Sequence, residues 1–365
     1  MVFLALTEMR RAKLRFGLLT GAVALLVFLV LLLTTLSGAL VGALTGALEG
    51  LRADGIVYSD SARDNIAASR LAPETVALVA AVPGVQEAAG VGTLTSGGRV
   101  DAESVDFQVF GVDAAGPGSP SGLTEGRLAE AVGEAAVDGD VAIGQVIVLD
   151  PSGVELTVVG LLRGAQFNAL PTAYTTLDTY DEVVTASFPG LPFVPVNAVA
   201  FTVTQDADLS AVVSAISDAV PEVTAYSLTD AVALIPGIES ISQSFGILVG
   251  LTFIIGIVVI GFFFLILTVQ KLRAFTLLRA IGTGSGRLAT SVSVQIAIVV
   301  LLASVIALGL TLLAVEGLNT GLPVSINVST VIGTIVAVLV FSLLAGLLSV
   351  RRIMRIDPAS AVGAR

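Results

Sequence analysis

The stretch LRFGLLTGAVALLVFLVLLLTTLSGALVGALTGALE, Leu14–Glu49, decides the fold. From Phe16 to Leu48 it carries no charge. A span needs about 20 mostly apolar residues to cross the ~30 Å hydrocarbon core of a bilayer. As one helix this stretch measures about 54 Å at 1.5 Å per residue, so it tilts or emerges as a stalk. Three further uncharged apolar runs, Phe245–Val269, Leu288 to about Ala314 and Val328–Val350, stand together at the other end of the chain. The fold class is therefore a membrane protein of four transmembrane helices, with one α+β extracytoplasmic domain inserted between helices 1 and 2.

Charge fixes the orientation. Arg10, Arg11, Lys13 and Arg15 stand at the start of the first run. Lys271, Arg273, Arg279 and Arg287 separate the second and third, and Arg351, Arg352, Arg355 and Arg365 follow the fourth. Between Arg52 and Pro236 there are six arginines, no lysine and 24 acidic residues. Cationic residues collect in cytoplasmic loops, so both termini are expected inside a plasma membrane and the acidic domain outside. The expected division is a basic cytoplasmic segment at 1–13, helix and stalk at 14–51, the extracytoplasmic domain at 52–236, and a second stalk and helix at 237–270. A cytoplasmic loop at 271–287, a third helix at 288–315, an outer loop at 316–327, a fourth helix at 328–350 and a cytoplasmic tail at 351–365 follow. The first run is too long for the apolar core of a signal peptide and reads as retained.

Composition excludes much chemistry. Cys, His and Trp are absent, which removes disulfides, thiolates, the commonest general base and the commonest metal ligand. A phosphate-binding Walker A loop needs Gly-x-x-x-x-Gly-Lys-Ser/Thr. The two lysines, Lys13 and Lys271, do not follow glycines, and Gly282-Thr283-Gly284-Ser285-Gly286 reads as a turn. The chain is not expected to be an enzyme by itself, to hold an intrinsic cofactor, or to bind nucleic acid. Membrane lipid is its first partner.

In the outer domain, Pro73–Val82 reads as a short helix closed by Pro83-Gly84. Val85–Leu94, Val105–Val112, Val141–Leu149, Glu155–Leu162 and Ala198–Val203 read as strands. Asp113–Gly122 reads as a loop, and Asp208–Val220 as an amphipathic helix with Leu209, Val212, Val213 and Ile216 on one face.

Gly38, Gly42 and Gly46 recur every fourth residue on the first helix, flanked by Ala39, Ala43 and Ala47. Such a stripe admits a closely packed helix; it serves either ordinary packing or a wall at a subunit interface. Glu49 follows it at the helix C-terminus, where the helix dipole disfavours an anion. Arg52, three residues on, is its ordinary ion-pair partner. On the cytoplasmic side, Leu272, Phe275, Leu278 and Arg279 recur at helical spacing before Gly282. This short basic amphipathic helix either adsorbs to the membrane or fits a groove on a cytosolic partner.

The segment Leu278-Arg279-Ala280-Ile281-Gly282, the closing Asp357-Pro358 and the Pro83-Gly84-Val85 helix end resemble signatures of the FtsX/MacB/LolC superfamily of ABC transporter permeases. A Glu usual in that loop helix is Ala274 here. The resemblance implies a permease homodimer paired with a dimer of a separate ATPase that binds the ATP. It also implies that Leu272, Phe275, Leu278, Arg279, Ala280 and Gly282 couple the two. In size and layout the chain is most similar to the small heme-export permeases of the HrtB type. That likeness implies outward export of a hydrophobic substrate, heme. A lipid, peptide or antibiotic, or transmission of a signal to an outer hydrolase, are the alternatives. For heme, the iron ligand expected is Glu49, with Tyr58 as the rival oxygen ligand, because nitrogen and sulfur donors are lacking on the outer side. Arg52 and Arg63 would meet the propionates. The slot would be lined by Gly42, Gly46, Phe245 and Leu248.

Overall fold

The structure is a computed structural model and describes residues 12–101, 103–270, 285–317 and 328–354. The basic N-terminal segment through Arg11, the coupling residues 272–282, the outer loop after Gly317 and the C-terminal tail from Arg355 lie outside the described residues. What is described divides into two compact units. One holds the helices up to Gly38 and from Gln243 onward, the other Ala39–Ser242.

The first unit is built from four apolar helices: α1 (Lys13–Glu49), whose residues to Gly38 lie in it, α6 (Ile238–Gln270), α7 (Ser285–Gly317) and α8 (Val328–Met354). Leu19, Val23, Val27 and Leu31 of α1 pack with Ile260 of α6 and with Ile296, Val299 and Ala303 of α7. The outward faces are equally apolar, with Leu25, Ile254, Phe262, Val305 and Leu313 exposed. A helix apolar all round belongs in lipid or a large core. The Thr252, Ser304 and Thr311 hydroxyls each donate to the carbonyl four residues back on their own helix, as suits an environment without water. Arg15 donates to Gln270 at 2.6 Å, joining the ends of α1 and α6. Three of these helices are long and apolar enough to cross a membrane. In α8 the described side chains end at Leu344, a shorter apolar stretch.

The second unit is α+β. Its elements are β1 (Gly55–Ser59), α2 (Glu74–Ala80), β2 (Val85–Val100), β3 (Glu103–Val112), β4 (Leu123–Gly126), β5 (Glu134–Asp138), β6 (Val146–Asp150), β7 (Glu155–Leu162), β8 (Thr172–Thr176), α3 (Leu177–Ser187), β9 (Ala198–Val203), α4 (Leu209–Ala219), β10 (Val223–Ser227) and α5 (Leu228–Ala233). The strands run in the order β10-β1-β9-β2-β3-β8-β5-β7-β4, and β6 pairs with both β2 and β7. The second pairing of β6 closes β2, β3, β8, β5, β7 and β6 into a ring. Phe107, Val109, Ala135, Val137, Ile147, Leu149 and Leu156 fill it. The wing β10-β1-β9-β2 is covered by α2 and α4 through Val79, Val212 and Ile216 against Val57, Val199 and Phe201. The amphipathic helix is capped as its sequence implies: Asp208 accepts from Ser210 N–H.

The sequence reading of Val141–Leu149 as one strand is corrected. Val141–Gln145 form a turn with Gly144 at φ +89°, and the strand begins at Val146. A strand at Glu134–Asp138 precedes it instead.

Candidate functional site

The last turns of α1 are locked to the sheet unit by one loop. The Ala47 N–H donates to Gln166 O at 2.8 Å, and the Ala169 N–H donates to Ala43 O at 2.8 Å. Gly46 makes this approach possible: a Cβ there would lie 2.6 Å from Gly164 O and 3.1 Å from Gly164 C. The loop is held from below as well. The Ala165 N–H donates to Asp138 Oδ2 at 2.6 Å, Tyr174 Oη donates to Ala165 O at 3.2 Å, and the Phe167 N–H donates to Thr172 Oγ1 at 3.0 Å. Burial pushes the Asp138 carboxyl above its usual range, opposed by the Ala165 and Gly164 N–H groups and by Arg163. The last turns of α1 and this loop are thus one hydrogen-bonded part of the second unit.

This geometry divides the glycine stripe. Gly38 and Gly42 meet nothing within 4 Å of a built Cβ. Gly46 is filled by its own chain, so an open slot on this stripe is restricted to Gly38 and Gly42. The partner loop lies about 120 residues away in sequence, and no local signal marks it.

Glu49 is exposed, and its Oε1 lies 2.5 Å from Thr45 Oγ1. Its expected ion pair with Arg52 does not form; the described ion pairs are Arg99–Asp150 and Arg127–Glu134. Arg52 is fixed through its backbone, where its N–H donates to Ser119 O at 2.9 Å and its carbonyl accepts from Gly118 N–H at 3.2 Å. Its side chain is exposed. Arg63, also exposed, sits at φ +48°. One carboxylate and one guanidinium near the end of α1 are thus left without each other.

Tyr58 is 2% exposed on β1, its ring 6.0 Å from that of Tyr226. Burial, with Tyr226 and Asp64 nearby, pushes its phenol well above the usual range, which opposes the phenolate that would bind iron. Tyr226 donates a short hydrogen bond to Asp64, and its own phenol is pushed up to about 12, first by burial and then by Asp64. Leu48, Tyr58, Asp64, Phe167 and Pro236 line a cavity of about 180 Å³ where the chain leaves α1 and approaches α6. That is below the roughly 300–1,000 Å³ of pockets for drug-sized ligands.

Phe245, half-buried, and Leu248, exposed, lie on α6 in the helical unit. Gly42 and Gly46 lie in the other unit. Among the described residues no group of three or more acidic side chains is placed to hold a metal ion.

Residues 246–358 match the family model of the FtsX-like permease C-terminal domain. The match runs from within α6 to just beyond α8 and spans less than a third of the chain. An uncharacterized ABC transporter permease of Mycobacterium tuberculosis is 23% identical over 289 residues, 79% of this chain and 78% of that protein. A Staphylococcus epidermidis protein carrying the name hemin transport system permease HrtB is 31% identical over 111 residues, 30% of this chain and 32% of that one. Among solved structures, the periplasmic region of MacB from Actinobacillus actinomycetemcomitans covers 52% of this chain with 96% of its own length, at 10% identity and TM-score 0.38. The extracellular domain of the transporter YknZ from Gram-positive bacteria covers 48% with 100% of its own length, at 12% identity and TM-score 0.36.

Proposed function

We propose that this chain is the permease subunit of an ABC exporter that moves heme outward from the membrane, driven by an ATPase on a separate subunit. The observation that carries the permease reading is the FtsX-like permease domain at residues 246–358. The sequence offers no Walker A lysine of its own. The chain sits in the plasma membrane with four spans, both termini inside and the acidic unit outside, as the distribution of Lys and Arg favours. It works as a homodimer, and Leu272, Phe275, Leu278, Arg279, Ala280 and Gly282 take the stroke of the ATPase dimer.

Support for heme as cargo comes from the HrtB-named relative, whose similarity covers 30% of this chain, and from the end of α1. Glu49 is an exposed carboxylate that, among the described residues, has no cationic partner, and a hard ferric ion suits an oxygen ligand. Arg52 is available for the propionates. Gly38 and Gly42, where a Cβ would meet nothing within 4 Å, leave a smooth strip on which a flat ring can lie. Tyr58 is the weaker ligand, since burial holds its phenol protonated.

The test is a Soret-band titration of the purified protein, wild type against Glu49→Ala and Tyr58→Phe. Heme binding weakened in Glu49→Ala and retained in Tyr58→Phe is expected. No binding by wild type would end the heme reading and leave the permease reading standing. Loss only in Tyr58→Phe would move the ligand into the outer unit.

A further inference from the structure

The segment Phe188-Pro189-Gly190-Leu191-Pro192-Phe193-Val194-Pro195 follows α3 and breaks the usual rule for apolar side chains. Phe188 is 55% exposed, Leu191 48% and Phe193 50%. Three prolines restrict the backbone. The segment is also anchored at both ends. The Phe188 N–H donates to Val184 O at 2.8 Å, and just beyond it Val196 and Leu71 exchange backbone hydrogen bonds at 2.8 and 3.1 Å. The apolar lip is thus held open rather than collapsed.

Beneath it is a pocket of about 570 Å³, floored by Thr93, Leu94 and Thr95 of β2 and by Gln108 of β3. That volume falls within the roughly 300–1,000 Å³ range of ligand sites. The floor side chains satisfy one another: Gln108 Nε2 donates to Thr93 Oγ1 at 2.6 Å, and Thr95 Oγ1 donates to Gln108 Oε1 at 2.9 Å.

Two features of the walls select an occupant. The first is Arg70, whose Nη1 donates to Ala67 O at 2.8 Å and to Ser69 O at 2.7 Å. These bonds fix the guanidinium at the pocket wall. Among the described residues Arg70 takes part in no ion pair, in a domain where acids outnumber arginines 24 to six. The second is a gap in the sheet. β2 pairs with β9 as far as Val91 and with β6 from Gly97, and among the described residues no strand pairs with that edge between them. The Thr93 N–H on this edge is capped by Asn197 Oδ1 at 2.7 Å. By the alternation of an antiparallel ladder, the Thr95 N–H and carbonyl face the same edge.

We propose that this pocket binds a short extended apolar peptide segment ending in a carboxylate. Its backbone pairs with Thr95 in the gap, its side chains lie under Phe188, Leu191 and Phe193, and its carboxylate meets Arg70. Main-chain pairing on an open edge together with side-chain pockets is an established way of holding peptides. An acidic surface around a single fixed cation would reject anions that cannot also fill the apolar space. The proposal does not depend on heme as cargo.

The experiment is fluorescence anisotropy with the full-length protein and a fluorescein-labelled Val-Leu-Val-Leu peptide bearing a free C-terminal carboxylate. Saturable binding is expected. Amidating the peptide, or Arg70→Gln, each weakens it about tenfold, and amidation has no further effect on Arg70→Gln. Phe193→Ser, at an exposed position, weakens binding without lowering the thermal transition and serves as the second variant. The proposal is overturned by absence of saturable binding, or by binding indifferent to amidation, to Arg70→Gln or to Phe193→Ser. Displacement of the peptide by laurate at lower concentration than by unlabelled peptide would also overturn it, in favour of a lipid anion.

Discussion

Replacing Gly46 with alanine adds one methyl group against fixed backbone. The new Cβ would stand 2.6 Å from Gly164 O, where ordinary contact begins at 3.4 Å. The loop must retreat by about 0.8 Å, and it is tied to Asp138, Thr172 and Tyr174. Overpacking of this kind costs about 1–3 kcal/mol. The two 2.8 Å bonds at Ala47 and Ala169 lengthen with the retreat, at about 0.5–1.5 kcal/mol each if lost. Alanine returns about 1 kcal/mol of helix propensity. At the middle of these ranges the net loss for local opening is about 2 kcal/mol if one bond is lost and about 3 kcal/mol if both are. Hydrogen exchange of the full-length protein reads this directly: the Ala47 and Ala169 amides should exchange roughly 30- to 140-fold faster. Gly42→Ala, whose Cβ meets nothing within 4 Å, should leave both amides unchanged. Equal protection of these amides in Gly46→Ala and wild type would refute the clamp.

Glu134 holds Arg127 through two contacts, at 2.5 and 2.7 Å, and also accepts from the Glu130 and Ala131 N–H groups. The Arg127 hydrogen bond and the backbone donors depress its carboxyl to about 2 from 4.5. A depressed acid stabilises the fold above its unfolded value and loses that effect as pH falls through about 2. Glu134→Gln should therefore cost about 0.5–1 kcal/mol at pH 7, discounted for solvent screening. In denaturant titrations the gap to wild type should close below pH 4; a gap that persists at pH 2 would contradict the assignment. Phe275→Asp with Leu278→Asp should abolish substrate-stimulated ATPase activity of the assembled complex while leaving membrane insertion intact; full stimulation would remove this helix as the coupler. Gly42→Leu should abolish the crosslinked permease dimer or transport without changing insertion; unchanged transport would make the strip lipid-facing.

Elements with strong local chemistry were legible in the sequence. The strands Glu155–Leu162 and Ala198–Val203 are bounded by turns and rich in β-branched or aromatic residues, and the structure has them at those limits. The helix after Asp208 carries its cap in the sequence. β5, Glu134–Asp138, was hidden because Ala135 and Ala136 are small enough for a closed ring and look unlike a strand. Val141 and Ala142 look like strand residues but sit before a turn that needs Gly144 at positive φ. α3 was missed although Thr176 caps it by accepting from Thr179 N–H; that Thr-x-x-Thr start was a readable signal. Of the candidate site, the glycine stripe was legible, but its division was not. Gly46 differs from Gly42 only through a loop distant in sequence. The separation of Glu49 from Arg52 likewise depends on Ser119 and Gly118, which hold the Arg52 backbone.

The most direct measurement of the central claim is ATP hydrolysis by the purified permease, alone and after assembly with its ATPase. The permease alone should hydrolyse none, and the assembled complex should hydrolyse ATP at a rate that rises with added heme. Turnover by the permease in a preparation proven free of any ATPase would contradict the division of labour between subunits. A complex that forms but ignores heme would contradict heme as its cargo.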